Sequence, residues 1–350
     1  VYESNLYLGR TPVVLTHGFP SAKEVLVIKD TEFAGRPAFP ILDYLTRKKG
    51  LLTISYGEMW KEQRRFSGRL LRNFGVSRKS MEENILEEVT CLIQTFTENM
   101  SKLSWEMMGW LGNCHSRLNN VEGIICLLYN EMPLVRSLPL PHQQLYTIAN
   151  KIEAFLQEEI DKHKASLTPG EPRDFTDAYL EEMQKRKGSS FEEEQLLILL
   201  SNLFVAGTET MAATLQWALL YLMAFPEIQE KCWKEIDTVI GNKAILKFED
   251  RKKLPYTNAV IHEIQRVSNV TPLGLPHAPI QDVQLFGYKI PKDTMVLVNI
   301  QSAHHDESQW KFPNEFNPSN FLNEEGEFVK PEAFLAFSAG ELFHLPPPSE

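Results

Sequence analysis

The chain has 350 residues, 43% of them hydrophobic and 23% charged, and its 36 basic against 46 acidic side chains give a formal net charge of −10. That length permits a large core, and the acidic balance excludes the extended basic surface of a nucleic-acid binder. Four cysteines, Cys91, Cys114, Cys126 and Cys232, form no CxxC pair and no Cys/His cluster with zinc spacing, which suits a reducing compartment or cysteines used as small hydrophobes.

The chain starts at Val1 and shows no signal-peptide pattern. Tyr7–Val14 alternates weakly and predicts a strand. Ser21–Val27 predicts a helix, and Gly35-Arg36-Pro37 a loop. Gly57–Phe74 has a helical pattern and is strongly basic, with Lys61, Arg64, Arg65, Arg69 and Arg72. Ser80 is placed to cap a following helix that could run to about Ser101, and Glu82, Glu83, Glu87 and Glu88 favour its N-terminal end. Asn113–Asn120 is polar and reads as a loop. Pro133, Pro139 and Pro141 interrupt the next region.

Helices are then expected over Leu145–His163 and Phe175–Lys185, with a loop at Thr168–Arg173 between them. Ser190 and Glu193 form a capping-box pattern for a long apolar helix that Pro226 stops or bends. Leu196–Phe225 is apolar enough to raise a membrane span. Asn202, Thr208, Glu209, Thr210, Thr214 and Gln216 interrupt it, so a helix through a protein core is the better reading. Helices follow over Glu227–Ile240 and Thr257–Val267. After Pro272 short alternating runs at Val283–Phe286, Tyr288–Ile290 and Met295–Ile300 predict the strands of a small sheet. The fold class is therefore mainly α with a minor β-sheet. Residues 1–340 read as a single domain and 341–350, with three consecutive prolines, as a disordered tail.

Four groups of residues can carry chemistry. Ala206-Gly207-Thr208-Glu209-Thr210 puts a glycine, an acid and two hydroxyls inside an apolar helix: either a polar notch facing solvent, or a groove beside a bound group with Thr210 and Glu209 relaying protons. Glu263 and Arg266 at i,i+3 form either an ordinary surface ion pair or a structural one. Trp60 and Arg64, one turn apart, both donate hydrogen bonds and suit a carboxylate on an apolar ring system; alternatively the Trp simply covers the helix beside a solvated Arg. His304-His305-Asp306 reads as a loop with Asp306 as a helix cap, since adjacent histidines point apart and no third metal ligand has a suitable spacing. No Walker loop, no GxGxxG after a strand and no GxSxG elbow is present.

The order of WKEQRRFSGRLLRNFG from Trp60, AGTETMAATLQWAL from Ala206, YTNAVIHEIQRV from Tyr256, TPLGLPHAP from Thr271, GYKIPKDTMVLVNIQSAHHD from Gly287 and WKFPNEFNPSNFL from Trp310 resembles the cytochrome P-450 superfamily, most closely its vertebrate microsomal family 2. The resemblance runs from Tyr7 to Gly340. It implies a haem-thiolate monooxygenase that inserts one oxygen atom of O2 into a lipophilic substrate (fatty acid, steroid or xenobiotic) with electrons from NADPH through a reductase, at the endoplasmic reticulum membrane. By resemblance Arg36, Trp60, Arg64 and His277 contact the haem propionates. Ala206 and Gly207 line the oxygen groove, and Thr210 with Glu209 delivers protons; Met211 stands where a second Thr is frequent. Glu263 and Arg266 lock the fold, with Asn320 in place of the usual basic third partner. Phe204, Ala206, Val270 and Leu273 line the substrate pocket. Lys61, Arg65, Arg69 and Arg72 resemble the docking face for the reductase and cytochrome b5.

The departures matter as much. After PEAFLAFSAG the family continues through an Arg to the axial Cys and a buried helix; here Gly340 is followed by ELFHLPPPSE, with no Cys, so no metal ligand is assigned. Near Cys126–Leu128, VEGIIC resembles helix E while LLYNEMPLV resembles a segment beyond helix F. The expectation is an incomplete P-450 fold lacking the helix F region, the C-terminal helix L, the final strands and the N-terminal anchor, as in a spliced or mispredicted transcript. Without the anchor a cytoplasmic location is the alternative. Three readings follow: an inactive member of the family, a non-catalytic haem-binding or reductase-docking pseudoenzyme with His344 as a substitute iron ligand, or an unstable product.

Overall fold

The computed structural model describes residues 4–9, 11–74, 81–94, 129–130, 132, 136, 138, 140, 142–186, 188–241 and 247–339. The expectations for Ser80, for the end of its helix near Ser101, for Asn113–Asn120, for Pro133, Pro139 and Pro141, for the join at Cys126–Leu128 and for the tail from Gly340, His344 included, lie outside the described residues.

The protein is mainly helical with small sheets. The described residues form two compact units, one of the chain up to Tyr7, Thr11–Pro37 and the chain from Leu203 onward, the other of Ala38–Asn202 with the turn at Leu8 and Gly9. In the first, strands β1 (Ser4–Leu8) and β2 (Thr11–Thr16) are separated by a turn at Gly9, whose φ of 66° suits glycine, so the single strand expected at Tyr7–Val14 is two. Helix α1 (Phe19–Lys23) continues as a π-helical turn over Glu24–Ile28, closed by a 2.9 Å bond from Lys29 N to Glu24 O.

The small sheet expected after Pro272 is instead divided. β3 (Val283–Leu285) and β4 (Tyr288–Ile290) make a separate hairpin. Its two-residue turn has Phe286 and Gly287 at φ of 48° and 89°, positive at both central positions as the strand twist of a tight hairpin requires. β5 (Met295–Val298) leaves them and pairs in parallel with β2, Val13 opposite Met295 through Thr16 opposite Val298, giving the order β1-β2-β5. The alternating runs were legible as strands; the partner from the far end of the sequence was not. Val14, Val296, Val298, Phe19, Leu26, Phe33, Trp310, Phe321 and Phe334 make the core on this sheet.

In the second unit are α2 (Pro40–Thr46), α3 (Glu58–Phe74), α4 (81–94), α5 (His142–Ser166) and α6 (Phe175–Lys185). Gln63 joins α3 to α6: its side-chain oxygen accepts from Tyr179 Oη at 3.1 Å and its nitrogen donates to Ser190 O and Oγ, each at 3.0 Å. Phe66 packs edge-on against Tyr179 and Phe191 at 5.7 and 4.9 Å. Ser190 is therefore occupied by α3 and its hydroxyl donates to Glu62, so the capping box expected with Glu193 does not form; the long helix starts at Glu193.

That helix, α7 (Glu193–Ala224), is the one described helix long and apolar enough to cross a membrane. Its first turns are held in the second unit, where Gln195 exchanges two 3.0 Å hydrogen bonds with the backbone of Gly50. In the first unit its last turns, through Trp217, Ala218 and Tyr221, pack with Phe316, Ile228 of α8 (Pro226–Ile240) and Val260 and Ile264 of α9 (Pro255–Ser268). Pro226 stops α7 and opens α8, and Glu235 of α8 caps α9 by accepting from the backbone of Tyr256 and Thr257 at 2.9 and 2.8 Å. The core-helix expectation holds at both ends of α7 and not in its middle, where Phe204–Glu209 is exposed.

His163 joins α5 to α6. Nδ1 bonds Glu159 O at 2.7 Å, which places the proton there, and Nε2 lies 2.8 Å from the Asp174 carboxylate that caps α6. Burial pushes the imidazole pKa down, but the backbone bond and the carboxylate outweigh it, and the pKa lies above its ordinary value of about 6.5. A raised folded-state pKa adds stability that is fully present below the unfolded value and lost as pH rises through the folded one. His163→Ala should therefore lower the melting temperature more at about pH 5.5 than at about pH 8.5; thermal unfolding at the two pH values checks it, and equal losses would contradict it.

Candidate functional site

The notch in α7 opens outward. Ala206, Gly207 and Glu209 are exposed, and a Cβ added at Gly207 would meet no atom within 4 Å. Thr210 donates its hydroxyl to Ala206 O at 2.6 Å, and Thr214 repeats the bond to Thr210 O at 2.7 Å. Both hydroxyls thus satisfy themselves on the helix backbone one turn back. Phe204, at 50% exposure, and Leu273, at 40%, are open apolar surface in the same unit, and Val270 is half-buried. Uncovered apolar side chains beside a glycine fit a flat apolar partner.

Arg36 and His277 are brought together by the backbone. Gly35 and Ala278 exchange hydrogen bonds at 3.0 and 2.9 Å, His277 exchanges two with Val296 of β5 at 2.9 and 2.8 Å, and the segment is closed at Ile280 N to Glu32 O. A Cβ at Gly35 would lie 2.7 Å from Ala278 O, so only glycine allows this approach. Arg36 donates to Pro276 O at 2.7 Å, and burial lowers its pKa to about 10. His277 is buried with Nδ1 on Phe33 O at 3.0 Å; burial first, then the Arg36 charge, lowers it to about 4, so the imidazole is neutral.

In the second unit, Trp60 is buried and its indole N–H donates to Leu51 O at 3.2 Å, so that donor is already taken by the chain. Arg64 lies over the indole at 5.9 Å, burial lowers its pKa, and its Nε is buried with no partner among the described residues. Arg65 and Arg69 of the same helix are exposed one turn apart, and Lys61 pairs with Glu58 at 3.2 Å.

Glu263 and Arg266 are wholly buried, which excludes the surface ion pair. The pair is bidentate, Nε to Oε2 at 2.7 Å and Nη2 to Oε1 at 2.8 Å. Nη1 also donates to His304 O and Pro313 O at 2.6 and 2.8 Å, and Nη2 to Glu315 O and Phe312 O at 2.7 and 3.3 Å. Glu263 Oε1 accepts from Asn317 N at 2.7 Å and from Asn320 Nδ2 at 3.1 Å. Asn320 also pairs with the backbone of Phe312 in both directions, at 2.9 and 3.1 Å. The neutral Asn320 side chain thus ties the segment at Phe312 to Glu263.

The His304-His305-Asp306 stretch divides differently from its reading as a loop. His304 ends helix α10 (Ile300–His304) and is buried. Asp306 is a cap, but of α1, accepting from Phe19 N at 3.0 Å across the unit. The role of His304 went unread, because nothing local distinguishes a core histidine from a loop one.

Haem is the cofactor that the resemblance implies. Within the first unit the desolvated guanidinium of Arg36, with no ion pair among the described residues, suits an acidic group, and the open ground at Gly207 suits a flat apolar one; within the second, the desolvated guanidinium of Arg64 suits an acidic group as well. Of the described cysteines, Cys91 is exposed on α4 and Cys232 is half-buried on α8, where burial pushes the thiol pKa up.

The family model described as Cytochrome P450 matches residues 4–120 and 114–341. Cytochrome P450 2J2 of Homo sapiens is 41% identical over 376 residues, covering 96% of this chain and 73% of that protein. Cytochrome P450 2J5 of Mus musculus is 40% identical over 375, and cytochrome P450 2C23 of Rattus norvegicus 35% over 367, covering 73% and 74% of those proteins and 96% of this chain in each case. An alignment longer than the 350 residues of this chain means that the relatives carry positions with no counterpart here.

Arg266→Ala should cost about 3–5 kcal/mol, since it leaves a buried carboxylate without its cation. Asn320→Ala should cost about 1–3 kcal/mol for the donors and acceptors it orphans. Urea unfolding of both variants against the parent checks the order; equal losses would contradict it.

Proposed function

Because the chain belongs to the cytochrome P450 family, we propose that it descends from a haem-thiolate monooxygenase of lipophilic substrates and that, with this sequence, it does not activate oxygen. The observation that carries this reading is the stretch after Phe337-Ser338-Ala339-Gly340: where the family places the axial Cys, this chain reads Glu341-Leu342-Phe343-His344. In the family a thiolate-ligated haem iron supplies oxygen activation. Arg36, Arg64 and His277 would hold the propionate side of a haem here. Thr210 and Glu209 would stand at the oxygen side, and Phe204, Val270 and Leu273 at the substrate. The family model is matched in two pieces that overlap at residues 114–120 and are not one continuous stretch, which supports an internal loss near there, toward Cys126–Leu128.

A second reading has its own observation. Arg65 and Arg69 are exposed on α3, and with Lys61 and Arg72 they support docking to an acidic reductase or cytochrome b5 by a chain that does no chemistry itself. The endoplasmic reticulum membrane is the location we propose, by family.

Two measurements test these readings. Expressed with hemin, reduced and exposed to carbon monoxide, the protein should give an imidazole-type Soret band or no bound haem; a thiolate-type band would restore monooxygenase activity and overturn the first reading. The paired change Arg65→Glu and Arg69→Glu should abolish retention on immobilised reductase at low salt, while undiminished retention would remove the second.

A further inference from the structure

His304 makes three connections at the end of α10. Its backbone carbonyl accepts from Arg266 Nη1 at 2.6 Å, and its ring Nδ1 lies 3.1 Å from Arg266 O at the end of α9. Its Nε2 accepts from Leu335 N at 3.0 Å. The ring stacks on Phe334 at 5.8 Å and 10° and meets Trp310 edge-on at 6.2 Å. Leu335 is held from its other side too, since its carbonyl accepts from Ser338 N at 2.7 Å, closing a turn in which Ser338 has φ 60°.

The tautomer follows from the partners. A backbone N–H can only donate, so Nε2 carries no proton; a carbonyl can only accept, so Nδ1 carries one. Both atoms are buried, and the opposite tautomer would set lone pair against lone pair at one end and proton against proton at the other. No charged imidazole can take part, because Nε2 must stay an acceptor.

We propose that His304 is a positioning residue: in its Nδ1–H tautomer it fastens Leu335, and with it the turn at residues 335–338, to the last turn of α9 beside Arg266. The family reading enters only in what that turn does, which is to present the stretch where relatives carry the iron ligand. The fastening itself is a property of this chain's residues. Leu335 lies far from Arg266 in sequence, and its amide is bonded to His304 Nε2 and to no other side chain among the described residues.

The two ring nitrogens can be tested apart. In His304→Gln the amide oxygen reaches the place of Nε2 and keeps the bond from Leu335; in His304→Asn the amide nitrogen reaches only the place of Nδ1 and keeps the bond to Arg266 O. Hydrogen exchange of the full chain, followed at single amides, should show Leu335 exchanging about tenfold faster in His304→Asn than in the parent, and near the parental rate in His304→Gln. The amides of Val296 and Trp310 should be unmoved in both and serve as controls. Equal acceleration in the two variants, or none, would overturn the proposal. Imidazole nitrogen NMR of the parent needs no variant: the Nδ1–H tautomer at neutral pH supports it, and the Nε2–H tautomer or a protonated ring overturns it. Hemin titration of the same proteins reports on the family reading separately, since a parent that binds no hemin still has its own Leu335 exchange rate.

Discussion

Helix α9 is a post, and the guanidinium of Arg266 is what the following chain is tied to. All three of its nitrogens donate, two of them to Glu263 and the outer two also to four carbonyl oxygens between His304 and Glu315. A planar fork with five N–H groups can hold an irregular segment in this way where an ammonium cannot. Residues 310–322 have little regular structure to satisfy their own backbone, so their carbonyls are satisfied on Arg266 and their amides partly on Glu263. The core aromatics Trp310 and Phe321 belong to this segment, and with Phe334 they share the core with Val14 of β2 and Val296 and Val298 of β5.

Helix α7 follows a different logic. It is clasped at its start by Gln195 and packed at its end by Trp217 and Tyr221, and its middle presents glycine, apolar side chains and hydroxyls turned back on the helix. Such a stretch is poor material for a core and poor material for a solvated surface. It is well suited to lie against a flat apolar group, which is why the composition of Ala206–Thr210 left two readings open and the exposed geometry leaves the same surface available to either.

Much of this was legible in the sequence. Phe175–Lys185 was bounded to the residue, between the loop at Thr168–Arg173 and the Gly188 that follows its end; the structure adds Asp174 as its capping side chain. Glu263 and Arg266 were visible as a pair, but their depth was not, since burial comes from Phe312–Asn320, a segment remote in sequence. The pairing of β2 with β5 and the cap that Asp306 places on α1 were hidden for the same reason. Ser190 misled because a capping pattern competes with any neighbour that offers better partners, here Gln63 and Glu62. The family was legible from motif order alone; the indole N–H of Trp60, held by Leu51 O, was not.

That Asn320 is an uncharged member of this cluster has an electrical consequence. One carboxylate and one guanidinium remain at the α9 junction, and both are inaccessible to solvent, so the cluster is neutral and lies out of reach of mobile ions. The many solvent-exposed pairs, such as Lys162 with Glu158, are open to screening. In concentrated salt the surface of the protein would lose its electrostatic cohesion first, while this junction kept its own.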